Sequence, residues 1–306
     1  MKRRVGLFFF LLMAGWLVGC GNNDADVPLT DRYDSGVLHI SCDESFKPVI
    51  DAQIQVYQAQ NPKAKIIAHY KPEAECIDDL TRDSMRLVIM TRGLLKGEEQ
   101  FLEDSFKLDV KFQTVSFDAI AVIVNPQGAD SLFTLAEIKD LLTGKSKKNL
   151  IPVFDGLKAT STVRFMLDSV LRNEPLGKNV VAAESSLGVI DYVSKTKNAI
   201  GFLGVSWIGN YDDPRQLSYL RKVQLARLES ADSAGTFVLP VQYLIYTKSY
   251  PLIRDLVYVL KEKHAGLANG FANFLRTDRG QLLFKRSFLF PAVRTFYIRD
   301  TELEKD

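Results

Sequence analysis

The chain has 306 residues, 46% of them apolar and 25% charged, with a net charge of +2 at pH 7. Removing residues 1–19 would take away three of the 39 basic residues and leave 36 − 37 = −1; with no Lys/Arg run interleaved with aromatics, a nucleic-acid-binding face is excluded. The three histidines are scattered, and no H-E-x-x-H, G-x-S-x-G or P-loop occurs, so no metal, cofactor or enzymatic activity is expected.

The chain opens with Lys2, Arg3 and Arg4, followed by an apolar run from Val5 to Val18 and the ending Leu17-Val18-Gly19-Cys20. That order of charge, apolar residues and small residues is a secretory signal. At about 1.5 Å per residue the run reaches only ~22 Å, short of the ~30 Å hydrocarbon core that a spanning helix must cross. The Leu-Val-Gly-Cys ending resembles the lipobox of bacterial lipoproteins. That resemblance implies cleavage after residue 19, acylation of the Cys20 thiol (a palmitate-bearing anchor) and a soluble part held on a membrane outside the cytoplasm. Residues 20–35, polar and rich in Asp and Asn, read as a tether.

Beyond the tether, short apolar runs alternate with amphipathic segments, which predicts an α/β fold. Strands are expected at Val37–Ser41, Lys65–His69, Leu87–Thr91, Ala119–Asn125, Leu150–Phe154, Ala199–Leu203 and Phe237–Thr247. A first helix carries Pro48 in its first turn, with Ile50, Ile54 and Tyr57 on one face. Thr134-Leu135-Ala136-Glu137 fits a capping box opening a helix over Leu135–Leu142, which Gly144 closes. Val163, Met166, Leu167, Val170 and Leu171 keep helical spacing behind the N-cap cluster Thr160-Ser161-Thr162. Further helices are expected over Leu187–Lys195, Leu252–Lys263 and Leu267–Phe284.

Several segments, taken in order, resemble one family. They are Ser41-Cys42-Asp43-Glu44-Ser45-Phe46, the strand Val115–Val124 ending in Asn125-Pro126, Thr134–Ile138, Leu142-Thr143-Gly144-Lys145, Ala199–Gly204, Tyr246-Thr247-Lys248, and Phe274-Leu275 with Gly280-Gln281. Together they are similar to the phosphate-binding components of ABC transporters, within the type II periplasmic binding protein superfamily. The resemblance spans nearly all of residues 36–298. It implies a two-lobed α/β fold with two chain crossings: residues 36–124 plus 236–306 as lobe one, and 125–235 as lobe two. It also implies capture of inorganic phosphate or a similar oxyanion in the interlobe cleft, and presentation to membrane permease and ATPase subunits by a monomer. The alternative is a lipid-anchored interaction or sensing protein with the same fold and a degenerate site.

Carried across residue by residue, the resemblance implies a ligand set of Ser45, Thr91, Arg92, Thr160, Ser161 and Thr162. Two positions depart from the family: an acid has become Arg92, and an arginine has become Asp155. Either Arg92 forks an anion from the opposite side, or Arg92 and Asp155 pair on closure, or both are solvated loop charges. Thr160, Ser161 and Thr162 either cap a helix only or cap it and touch ligand as well. The family's second-lobe serine is Ala159, and its small turn after the second strand is Pro72-Glu73-Ala74-Glu75-Cys76. Asp43, Glu44, Glu73 and Glu75 would oppose a dianion if they lined the cleft. Cys42 and Cys76 fall after neighbouring strands and form either a disulfide, as an oxidising compartment permits, or two free thiols.

Overall fold

The structure is a computed structural model and describes residues 31–128, 130–156 and 160–293. The signal, Cys20 and the tether up to Thr30 lie outside the described residues, as does Ala159. Among the described residues no helix is long and apolar enough to cross a membrane.

The first strand, β1 (Ser35–Asp43), leads through a 3-10 turn (Glu44–Phe46) into α1 (Lys47–Gln60), and β2 (Lys63–Lys71) follows. Next come α2 (Glu73–Asp79), β3 (Leu87–Met90), α3 (Lys96–Phe106) and the long β4 (Lys111–Val124). The middle of the chain holds β5 (Leu132–Phe133), α4 (Leu135–Thr143), β6 (Ile151–Phe154) and α5 (Ser161–Phe165), which runs on as a π-helical turn (Met166–Leu171). It continues with β7 (Val181–Ala182), α6 (Ser186–Lys195), β8 (Ala199–Gly204), a 3-10 turn (Val205–Trp207), α7 (Pro214–Leu220), β9 (Gln224–Leu225) and β10 (Arg227–Glu229). The last part holds β11 (Phe237–Val238), α8 (Gln242–Tyr246), β12 (Ile253–Leu260), α9 (Leu267–Arg276), α10 (Asp278–Arg286) and β13 (Phe290–Pro291).

The main sheet runs β2-β1-β3-β12-β4-β8-β6-β7. One strand serves both of its halves. Over Lys111–Ala119, β4 pairs antiparallel with β12; from Ile120 to Val124 it pairs antiparallel with β8. The outer pairs of the sheet are parallel and the central ones antiparallel, helices pack on both faces, and the fold is the α/β class expected.

Local signals account for much of this. Thr134 Oγ1 accepts from the Glu137 N–H at 3.1 Å, and Glu137 Oε2 accepts from the Thr134 N–H at 2.9 Å. Gly144, with φ of 76°, ends α4 in the left-handed conformation that glycine adopts without a Cβ penalty.

Three segments depart from expectation. Leu252–Lys263 is the strand β12 and no helix. Inserted between β3 and β4, it is buried on both faces and so reads as a continuous apolar run without strand alternation. Phe237–Thr247 is no single strand, because Pro240 lacks the N–H a ladder needs and the chain turns into α8. Leu267–Phe284 is broken at Thr277, whose extended backbone ends α9 and whose hydroxyl caps α10 through the Gly280 N–H.

Cys42 and Cys76 are buried free thiols. Cys42 packs with Phe46, Val49 and Ile89 on one face of the sheet, whereas Cys76 packs with Leu80, Val88 and Met90 on the other. With the sheet between them, burial pushes the Cys76 thiol up to about 12 and the Cys42 thiol up as well, so both stay protonated.

Phe154 of β6 is fully buried and stacks on Phe202 of β8 with centroids 4.8 Å apart. Phe154→Ala is expected to cost about 3–5 kcal/mol of stability through lost burial and a residual cavity, read as a lower urea midpoint in chemical unfolding.

Candidate ligand-binding site between the two halves of the sheet

The site forms where the C-terminal ends of β1, β6 and β8 face one another across the partner change in β4. Asp43 ends β1 and turns the chain by accepting the Ser45 N–H at 2.8 Å. From the other half, Thr160 caps α5 by accepting the Val163 N–H at 3.3 Å, which sets Ser161 and Thr162 at the start of that helix. Ser45 Oγ and Ser161 Oγ meet 3.4 Å apart, both buried. The Ser206 hydroxyl, in the turn after β8, donates to the Ser45 carbonyl at 3.1 Å.

Arg254 sits at the centre. It occupies β12 directly opposite Asp118 of β4 and donates from Nε to Asp118 Oδ2 at 2.8 Å. Its Nη1 donates to Ser161 Oγ at 2.9 Å and to Thr162 Oγ1 at 3.3 Å, so one guanidinium reaches from one half of the sheet to the other. The Phe46 ring lies 5.2 Å from the guanidinium carbon. A Cβ at Gly204 would stand 3.2 Å from Arg254 Nη2 and from the Ser45 oxygen, so glycine permits this close approach.

A second cluster ties the halves together beside the first. Glu73 accepts from the Thr91 N–H at 2.8 Å and from Thr91 Oγ1 at 2.6 Å. Arg164 of α5 donates from Nε to Glu73 Oε2 at 2.5 Å and from Nη2 to Thr91 Oγ1 at 2.6 Å. Glu44 Oε2 accepts from Ser186 Oγ at 2.7 Å, a third contact across the same gap.

Of the residues expected from sequence, Ser45, Ser161 and Thr162 are brought together with Thr160 as their cap, and Thr91 joins the Glu73–Arg164 cluster. Arg92, next to Thr91 and near the charge of Glu73, makes no hydrogen bond to either cluster. Its guanidinium forks Glu98 at 2.7 and 2.8 Å, and Asp155 is not its partner. Asp155 instead faces Asp43, Glu44 and Arg254. Arg254, Asp118 and Arg164 were missed. Arg254 lay in a segment expected to be helical; the signal for Asp118 was a lone acid inside the apolar run Val115–Val124.

The acids near Arg254 are unusual. Burial pushes Asp43 and Asp118 above the ordinary carboxylate value against the pull of Arg254. Burial, helped by Asp43 and Glu44, pushes Asp155 up to about 7. Burial would also raise Glu73, but the hydrogen bond and charge of Arg164 hold it below its usual value. Burial disfavours a charged guanidinium, yet Asp118 and Asp43 keep Arg254 charged.

Residues 30–279 match the model of the PBP superfamily domain, and the chain belongs to that superfamily of periplasmic binding proteins. Its fold is shared with a Clostridium perfringens protein assigned as a phosphate ABC transporter substrate-binding protein and solved with bound phosphate. The two are 20% identical over 84% of this chain and 100% of that one, with a TM-score of 0.69. An ABC-type phosphate transport receptor from Vibrio cholerae is 16% identical over 84% and 100%, with a TM-score of 0.61. The regulatory domain of OxyR2 from Vibrio vulnificus is 11% identical over 79% and 94%, with a TM-score of 0.51. No curated protein matches the sequence.

The acids predict a two-sided pH profile for the ligand-free protein. Asp155 keeps its proton in the folded chain after the unfolded chain has lost it, so its contribution falls as pH rises from about 3.8 to about 7. Glu73 stabilises above the ordinary Glu value, and that contribution is lost as pH falls through its lowered folded value. Thermal unfolding across pH is expected to show Asp155→Asn flattening the upper limb and Glu73→Gln flattening the acid limb.

Proposed function

We propose that this chain is the solute-binding component of an ABC-type permease, capturing an oxyanion, phosphate first, between its two lobes. The observation that carries the reading is the arrangement around Arg254. A buried guanidinium, one of whose nitrogens has no partner among the described residues, stands among Ser45, Ser161 and Thr162, hydroxyls contributed by both halves of the sheet. Guanidinium and hydroxyl donors are the groups that hold tetrahedral oxyanions. Arg254 thereby takes the part that sequence reasoning gave to Arg92, which would reach an anion only by leaving Glu98. The bound phosphate of the Clostridium perfringens protein supports the same ligand class.

The lobe boundaries at residues 36–124 with 236–306, and 125–235, belong to this proposal. They are supported by the partner change in β4, which offers a hinge where one lobe can rotate against the other. So do the lipid anchor at Cys20, the placement outside the cytoplasm, the monomeric state and the permease partner.

One observation favours a second reading, an interaction or sensing protein with a degenerate site. The candidate hydroxyls already bond to one another and to Arg254, and three separate contacts hold the halves closed.

Calorimetric titration of phosphate into refolded residues 21–306 separates the two. Trp207 is buried next to Ser206 and gives a fluorescence readout, since the other tryptophan, Trp16, leaves with the signal. Saturable binding at micromolar or lower concentration is expected, weakened about 10- to 100-fold in Arg254→Met and Ser161→Ala by loss of charge-assisted hydrogen bonds. No heat and no spectral change up to millimolar phosphate would favour the second reading.

A further inference from the structure

The three histidines are scattered along the sequence, and the fold brings two of them together. β1 and β2 pair in parallel with His39 opposite Ile67 and Ser41 opposite His69, so His39 and His69 are diagonal neighbours. Leu38, Ile40, Ala64 and Ile66 enter the core on the α1 side of the sheet. Strand alternation therefore turns Val37, His39, Lys65, Ile67 and His69 to the opposite face. There α2 reaches Ser41 through Asp79, but nearer the start of the strands Val37 is 54% exposed and His39 and Lys65 are exposed as well.

His39 Nδ1 lies 2.8 Å from His69 Nε2, the ring centres are 5.2 Å apart and the ring planes differ by 14°. That centre-to-centre separation is close to the largest this nitrogen–nitrogen distance allows. The two centres and the two nitrogens thus lie nearly on one line, and the rings meet edge to edge in one plane. One nitrogen of the pair carries a hydrogen and the other accepts it.

The same two nitrogens suit a transition-metal ion. Imidazole nitrogens bind such ions at about 2.0–2.1 Å, so two at right angles stand about 2.9 Å apart, against about 3.3 Å in a tetrahedron. The observed 2.8 Å matches the right angle, which tetragonal Cu²⁺ and Ni²⁺ prefer, and copper binds nitrogen ligands most strongly of the divalent series. On binding, the bridging hydrogen moves to the remote nitrogen of its own ring, and the ion gives up two waters. Each ring tips so that both lone pairs meet at the ion, a movement the open face leaves room for. Asp79, the acid on this face, is already held by Ser41, Lys71 and Arg82, so water fills the remaining positions. The exposed Lys65 repels a dication only weakly through solvent. Asp31, Glu262 and His264 also converge, but Arg86 bonds to both carboxylates, and an ion there would have to displace a guanidinium.

We infer that His39 and His69 form a surface site for a divalent transition metal, Cu²⁺ first, which clips β1 to the edge strand β2. The site is independent of the oxyanion reading.

The probe is copper(II) chloride added to residues 21–306, which contain the whole compact unit that begins at Asp31 and lack the Cys20 thiol. Electron paramagnetic resonance should show Cu²⁺ with two imidazole nitrogens in its equatorial plane, and the melting temperature should rise with added Cu²⁺. His39→Gln and His69→Gln should each weaken binding about a hundredfold, because the strand pair holds the second nitrogen at high effective concentration. Their melting temperatures without metal should equal the parent's, which shows the fold intact, and His264→Gln should bind as the parent does. A single nitrogen in the spectrum, undiminished binding by His39→Gln or His69→Gln, loss of binding in His264→Gln, or no binding up to millimolar Cu²⁺ overturns the inference. None of these outcomes bears on phosphate binding.

Discussion

The buried ion pair of Arg254 and Asp118 is the constraint around which the two halves are arranged. Two charges out of water are tolerated only when geometry and further hydrogen bonds compensate for lost hydration. Here the pair is set by strand register, since the residues are direct neighbours on β12 and β4. Asp118 satisfies one edge of the guanidinium, and Ser161 and Thr162 of the other half satisfy a second. Removing either partner would leave an uncompensated charge in the interior at a cost of about 3–5 kcal/mol. The same requirement that stabilises the strand pair thus places a buried guanidinium where the halves meet.

Several contacts hold the two halves of the sheet against each other. Arg164 spans to Glu73 and Thr91, Ser186 to Glu44, Ser206 to Ser45, and Arg254 to Ser161. Any molecule entering between the halves would have to replace some of these contacts, and it could shift the arrangement only by interacting differently with the joined and the separated halves. β4 is continuous through the interface, yet its partner changes from β12 to β8 between Ala119 and Ile120.

Local features were well read from the chain. The capping box of Thr134 and Glu137, the left-handed Gly144 and the Thr160 cap depend on neighbours within a few residues, and they stand where periodicity and capping chemistry place them. Segments whose character depends on distant neighbours were read less well. β12 carries Leu256 and Val257 through Leu260 against strands on both sides, and nothing within the segment separates that from a buried helix. Cys42 and Cys76 fall at the ends of neighbouring strands in sequence, yet Cys42 lies within β1 on the α1 side of the sheet whereas Cys76 lies in α2, which covers the other face.

By itself the sequence determined the α/β class, the capped helices and the serine and threonine hydroxyls offered at turns after strands, because propensity, capping and periodicity act over a few residues. Only the tertiary structure decided which charges share the site. Arg92 found Glu98 six residues away, whereas Arg254 reached Asp118 and Ser161 across 136 and 93 positions of chain. Electrostatic partnership is set by distance in space and by exclusion of water, and strand pairing creates both only once the chain is folded.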